Sequence, residues 1–160
     1  MIPAGAIRDI VWDELHGRPP TAVPRDIDLG FFDAADLSAA SERTIDARLR
    51  ARVPDLAWDV RNQAGAHLWY PEAFGIEVAP FASCAEAVST FPEITTCVGI
   101  RLLGDDDVLV VAPYGLDDVL GGICRHNPTR VTAAFYEQRL AAKAWRARWP
   151  SLQYEHAGGE

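Results

Sequence analysis

The stretch Asp26-Ile27-Asp28-Leu29-Gly30-Phe31-Phe32 constrains this chain more than any other. Strand side chains alternate, so Asp26, Asp28 and Gly30 share one face, while Ile27, Leu29 and Phe31 share the other. The second face is core. The first carries two carboxylates one pleat repeat apart, in a structure that disfavours aspartate and brings like charges together. A divalent cation between them removes that penalty. Oxygen-only ligation suits Mg²⁺ or Mn²⁺, and two carboxylates can bridge two such ions about 3.5–4 Å apart, the arrangement that serves in-line phosphoryl displacement. Gly30 would let a substrate lie close to the backbone. The competing reading is an edge strand charged against aggregation, and Asp-x-Asp without context favours it.

Composition narrows the context. The 160 residues suit one domain with a sizeable core, and 49% apolar with 24% charged residues excludes wholesale disorder. No apolar run reaches the ~18 residues of a membrane span, and Arg8 and Asp9 interrupt any signal-peptide core. A net charge of -8 lacks the basic footprint of a nucleic-acid binder and suits a chain that meets phosphates through a metal. Cys84, Cys97 and Cys124 are odd in number and far apart, which suggests a reducing, cytoplasmic setting. Cys124 and His126 read as alternating strand side chains rather than a metal clip.

Periodicity predicts a helix over residues 5–16 with Ile7, Ile10, Val11 and Leu15 inward, then a proline-rich loop over 16–24. A strand follows over 27–32. A helix capped by Asp36 or Ser38 runs to about Val53, with Ile45, Leu49 and Val53 inward. Further expectations are a strand over 56–62, a helix opened by the capping box Ser83-Cys84-Ala85-Glu86, and a hairpin of 94–103 with 108–112. A short helix starts at Asp117-Asp118, and a last helix runs from Asn127-Pro128 to Trp149-Pro150. Helices and strands mix without strict alternation, so one mixed sheet with helices packed on it is expected.

Two features give Asp26 and Asp28 company. Ala4-Gly5-Ala6 opens the first helix, where small residues leave backbone N–H groups free for an anion. In Leu56-Ala57-Trp58-Asp59-Val60-Arg61-Asn62, Asp59 and Arg61 share a face. Beside the first strand, Asp59 would be a third carboxylate; alone it is a surface partner of Arg61. No Ser-His-Asp, H-E-x-x-H or G-x-x-x-x-G-K pattern supports a hydrolase triad, a zincin or a P-loop.

Gly-small at a helix start, Asp-x-Asp on a strand and apolar-Asp-apolar on a later strand resemble the DNA-polymerase-beta-type nucleotidyltransferase superfamily. The segments 5–17, 26–33, Asn62-Gln63-Ala64, His67-Leu68-Trp69, 112–118, Asn127-Pro128, Lys143-Ala144-Trp145 and Trp149-Pro150 are similar to a bacterial nucleotidyltransferase family of unassigned substrate. The resemblance implies an α/β (α+β) fold, a nucleotidyltransferase-like mixed sheet over residues 1–154 with a polar tail over 155–160. It implies Mg²⁺ or Mn²⁺ and no organic cofactor. Asp26, Asp28 and Asp59 would be the catalytic, metal-holding residues, and Gly5, Ala6, Arg8 and Gly30 would bind the nucleotide. The partners implied are a nucleoside triphosphate and an acceptor of unassigned identity, with no membrane.

The chain departs from the pattern in places. Ala6 stands where the superfamily usually has serine, and Gly65-Ala66 stand where the family often has arginine and methionine. The family carries a helix and a strand ahead of the glycine, and this chain starts at Met1, so a front lacking them is expected. A nucleotidyltransferase is the main reading. The alternative is a non-catalytic nucleotide- or partner-binding protein that keeps the fold. Because backbone binding to nucleic acid needs cationic contacts that release counterions, a fluorescence-anisotropy titration with duplex DNA or RNA at about 150 mM salt should find no sub-micromolar affinity.

Overall fold

The computed structural model describes residues 1–19 and 26–156. The predicted loop over 16–24 lies partly outside that range. The first strand, β1 (Ile2–Pro3), leads into helix α1 (Gly5–Leu15). Next come β2 (Ile27–Phe31), α2 (Ala39–Arg52) and β3 (Trp58–Asn62), then α3 (Ala66–Phe74) and α4 (Cys84–Ser89). The hairpin is β4 (Gly99–Leu102) with β5 (Val108–Val111). The chain closes with α5 (Asp117–Gly121), β6 (Ile123–Arg125), α6 (Ala133–Lys143) and β7 (Gln153–Glu155). The fold is a single mixed α+β domain.

Instead of one continuous sheet, the strands form three small ones in the orders β1-β4-β5, β2-β3 and β6-β7. The first two meet at one point. The Met1 amino nitrogen donates to the Gly30 carbonyl at 2.9 Å, and the Gly30 N–H returns a bond of 2.9 Å to the Met1 carbonyl. β2 and β3 run parallel in the register Asp28↔Asp59 and Gly30↔Arg61, with α2 as the crossover that a parallel pair requires. Asn62 closes the ribbon. Its amide donates to the carbonyls of Asp33 and Asp36 at 2.8 and 2.9 Å, and its oxygen accepts from the N–H groups of Asp33 and Ala64.

Several elements differ from the sequence expectation, each for a packing reason. α1 buries Trp12 and Asp13, while Ile10 and Leu15 are exposed. The helix docks through an indole and a charge, not through its aliphatic stripe. α2 has no buried residue: Ile45 and Leu49 are half-buried and Val53 is exposed. A two-stranded ribbon is too narrow to cover it, and Glu42 holds it by accepting from the Asn62 N–H at 2.8 Å. The last helix begins at Ala133, capped by Thr132, because the Asn127 side chain is occupied bonding to the Ser89 and Phe91 carbonyls and the Thr129 hydroxyl. It ends at Lys143, where Ala144 turns left-handed at φ 45°. α3 is a helix the periodicity did not disclose, since Pro71 sits inside it; Gly75 ends it at φ 67°. β7 reaches Glu155, the first residue of the expected tail.

The main core gathers Trp12, Cys124, Tyr136, Leu140, Trp145, Trp149 and Leu152. Trp12 meets Trp145 and Trp149 edge-on at centroid distances of 5.4 and 5.2 Å. Beside it, Asp13 is 1% exposed and accepts from Trp149 Nε1 at 2.9 Å and from Arg148 Nη2 at 2.7 Å. His16 extends the same seam: its Nδ1 bonds to the Trp12 carbonyl at 2.7 Å and its Nε2 meets the Ser151 hydroxyl at 2.7 Å. Removing a buried carboxylate leaves a charge and an indole N–H without their acceptor. Asp13→Ala should therefore cost about 2–3 kcal/mol of stability, read as a lower midpoint in urea denaturation with an unchanged slope.

Candidate functional site

A cavity of about 740 Å³ opens between the β2-β3 ribbon, the start of α1, α3 and α6. Asp26, Asp28 and Asp59 line it, with Gly5, Arg8 and Gly30. The parallel register sets Asp59 directly beside Asp28 on the neighbouring strand, and Asp26, the residue before β2, lines the same cavity with its charge felt at Asp28. Ala6 sits half-buried in the first turn of α1 and does not line the cavity.

Asp28 is open to the solvent of the cavity, yet the surrounding walls strip enough water from it to push its carboxyl above the ordinary range. The charges of Asp26 and Asp59 push the same way, and Arg8 and Lys143 oppose them. Asp59 Oδ1 pairs with Arg61 Nε at 2.9 Å. With Asp59 held by that arginine, no three His, Cys, Asp or Glu side chains are gathered into a ready-made metal cluster among the described residues. The donor set still fits a hard divalent cation. It is all oxygen, it shares one face, and it carries an electrostatic penalty that a cation would relieve.

α1 begins at Gly5 with no side-chain cap. Ala4, at φ 46° and ψ -98°, holds a backbone conformation that costs a residue with a Cβ about 1–3 kcal/mol. An added Cβ at Gly5 would meet nothing within 4 Å, so space stands open over the free N–H groups of the first turn. At Gly30 the open side is different. A Cβ there would meet Gln63 Cγ at 3.4 Å, so the Gln63 side chain, not an empty cleft, lies over this glycine. Arg8 donates to Asp9 Oδ1 at 2.6 Å and lies over the Trp145 ring at 4.6 Å.

The sequence did not single out the rest of the wall. Tyr70, Glu72, Ile76, Phe91 and Arg139 line the cavity, and their elements come together only in three dimensions. Trp69 also lines it, beside Tyr70 at 4.7 Å between rings, and Arg61 lies 5.9 Å from the Trp69 ring. The thiols are chemically quiet: burial pushes Cys97 and Cys124 up to about 12. His126 bonds to the Val131 carbonyl at 2.8 Å and stacks on Tyr136, so Cys124 and His126 form no metal clip.

A family model described as nucleotidyltransferase matches residues 1–154. Among solved structures, the chain is similar to an NMR structure described as revealing a CCA-adding enzyme head domain. The two share 30% identity with a TM-score of 0.80, over 98% of this chain and 81% of that one. No curated protein sequence matches the chain.

The Asp28 shift sets a pH test. An acid whose folded value is raised destabilises the fold when ionised, so the penalty is absent at low pH and grows as pH rises through the ordinary value of 3.8 to the raised one. Asp28→Asn should therefore raise the Tm of the metal-free protein at pH 7, and the gain should disappear as pH falls below that ordinary value.

Proposed function

This chain belongs to the nucleotidyltransferase family, and from that premise we propose that it moves a nucleoside monophosphate from a nucleoside triphosphate to an acceptor hydroxyl, with Mg²⁺ or Mn²⁺ and release of pyrophosphate. The observation that carries the proposal is the register that puts Asp59 beside Asp28, in one cavity with Asp26 and the uncapped start of α1.

Asp26, Asp28 and Asp59 would hold the metal, with Asp59 exchanging its Arg61 partner for the ion. Such a metal supplies Lewis-acid activation of the acceptor and neutralises charge on the departing phosphates. The N–H of Gly5 would meet the triphosphate at the positive end of α1, and Arg8 would add a cation held in place by Trp145. Gly30 and Gln63 would form the floor beside the carboxylates. The acceptor hydroxyl would lose its proton to solvent as its oxygen bonds to the α-phosphorus, the bond from that phosphorus to the bridging oxygen would break, and pyrophosphate would leave with that electron pair. Against a tRNA-sized acceptor stands the net charge of -8, which repels a polyanion. No described helix is long and apolar enough to cross a membrane; with three free cysteines, a cytoplasmic setting is the one we propose.

A second reading, nucleotide binding without transfer, draws on the Asp59–Arg61 pair and on alanine at position 6. Pyrophosphate release separates the two. With each of the four triphosphates, Mg²⁺ or Mn²⁺ and cell extract as acceptor source, release should be measurable and should stop on chelation. Asp26→Asn and Asp28→Asn should each lower it at least about a hundredfold, since each unseats an ion worth several kcal/mol in the transition state. Triphosphate binding with no pyrophosphate from any extract fraction would leave the binding protein.

A further inference from the structure

Among the described residues, four cationic side chains line the cavity: Arg8, Arg61, Arg139 and Lys143. Three are engaged by carboxylates, Arg8 by Asp9 at 2.6 Å, Arg61 by Asp59 at 2.9 Å and Arg139 by Glu93 at 2.5 Å. Lys143 has no ion-pair or hydrogen-bond partner among the described residues. It is also the only lysine in the 160 residues; every other one of the 15 basic side chains is arginine.

Its position is built. Lys143 is the last residue of α6, and Ala144 at φ 45° turns the chain so that Trp145 enters the core beneath the Arg8 guanidinium. Lys143 thus stands beside the Arg8–Trp145 contact, and its charge is felt at the Asp28 carboxyl. A helix C-terminus attracts a lysine for its dipole alone. That reason does not explain why the side chain lines this cavity, nor why it is left uncommitted where the other described cations are paired. An ammonium on a flexible four-carbon stem carries three rotatable donors and can follow oxygens that move, whereas a guanidinium held by a carboxylate cannot.

We propose that Lys143 grips the two phosphates of the nucleoside triphosphate that are not transferred, and the pyrophosphate they become. This rests on the nucleotidyltransferase reading above. Arg8 and Arg139, each held by a carboxylate, would then serve as a fixed wall, while Lys143 distinguishes a triphosphate from a monophosphate.

The test is binding, not turnover. Wild type, Lys143→Gln and Lys143→Arg are titrated calorimetrically, with Mg²⁺, against α,β-methylene triphosphate analogues and monophosphates of the four bases; thermal melting checks that each variant is folded. Loss of a charge-assisted phosphate contact should weaken triphosphate binding about ten- to a hundredfold in Lys143→Gln. Monophosphate binding should stay within about twofold, and Lys143→Arg should recover most of the loss. Because the chain has one lysine, acetylation mapped by mass spectrometry reads Lys143 directly: triphosphate should protect it and monophosphate should not. Unchanged triphosphate affinity in Lys143→Gln, equal weakening of both ligands, or acetylation unaffected by saturating triphosphate would each overturn the proposal alone. A wild type that binds neither ligand would overturn the nucleotidyltransferase reading with it.

Discussion

The buried carboxylate of Asp13 joins the two ends of the chain, and the position of the site depends on it. A charge at 1% exposure is tolerable only when paired and fully hydrogen-bonded, and its partners, Arg148 and Trp149, lie 135 and 136 residues away. That requirement brings α1 against the segment after α6, where Trp12 meets Trp145 and Trp149 edge-on. The consequence reaches beyond the core. One turn before Trp12, Arg8 arrives over Trp145, and Lys143, two residues before Trp145, arrives on the same wall. The open start of α1 is carried to the cavity by the same docking.

The opposite wall depends on register. In a parallel pair a slip of one residue would turn Asp59 away from Asp28 and bring the core face into solvent. Asn62 opposes that slip, because all four of its hydrogen-bonding positions are taken at the end of the ribbon by Asp33, Asp36 and Ala64. The carboxylates so aligned repel, and desolvation of Asp28 adds to the cost. A strained Ala4 at the neighbouring helix start lines the same cavity, so two unfavourable terms meet there, as they do at functional sites.

The similarity to a head domain covers 98% of this chain but 81% of the other, so the solved relative is longer. What the two share is the scaffold, and one scaffold serves many acceptors. The aromatic side of the cavity, with Trp69, Tyr70, Phe91 and Phe135, is where this chain's own specificity would be built.

Local rules made much of this legible. Alternation over 26–32 placed Asp26 and Asp28 on one face, the small residues at 4–6 marked a helix start, and the Ser83 capping box marked α4, where Ser83 Oγ accepts from the Glu86 N–H at 3.1 Å. These depend on neighbours two to four residues apart, and a sequence carries that information directly. Whether Asp59 lies beside Asp28 could only be posed as a question, because strand pairing is a long-range choice made by α2 and Asn62. α3 was hidden by Pro71, and the face that α1 buries was misjudged because Asp13, a charge, is among its most buried residues. The start of α6 was misplaced because Asn127 gives its amide to the distant Ser89 and Phe91 carbonyls and its oxygen to Thr129 instead of capping a helix. The sequence alone determined which side chains could do chemistry. Tertiary structure alone decided which of them meet, since a buried charge or an unpaired amide finds its partner through space and not along the chain.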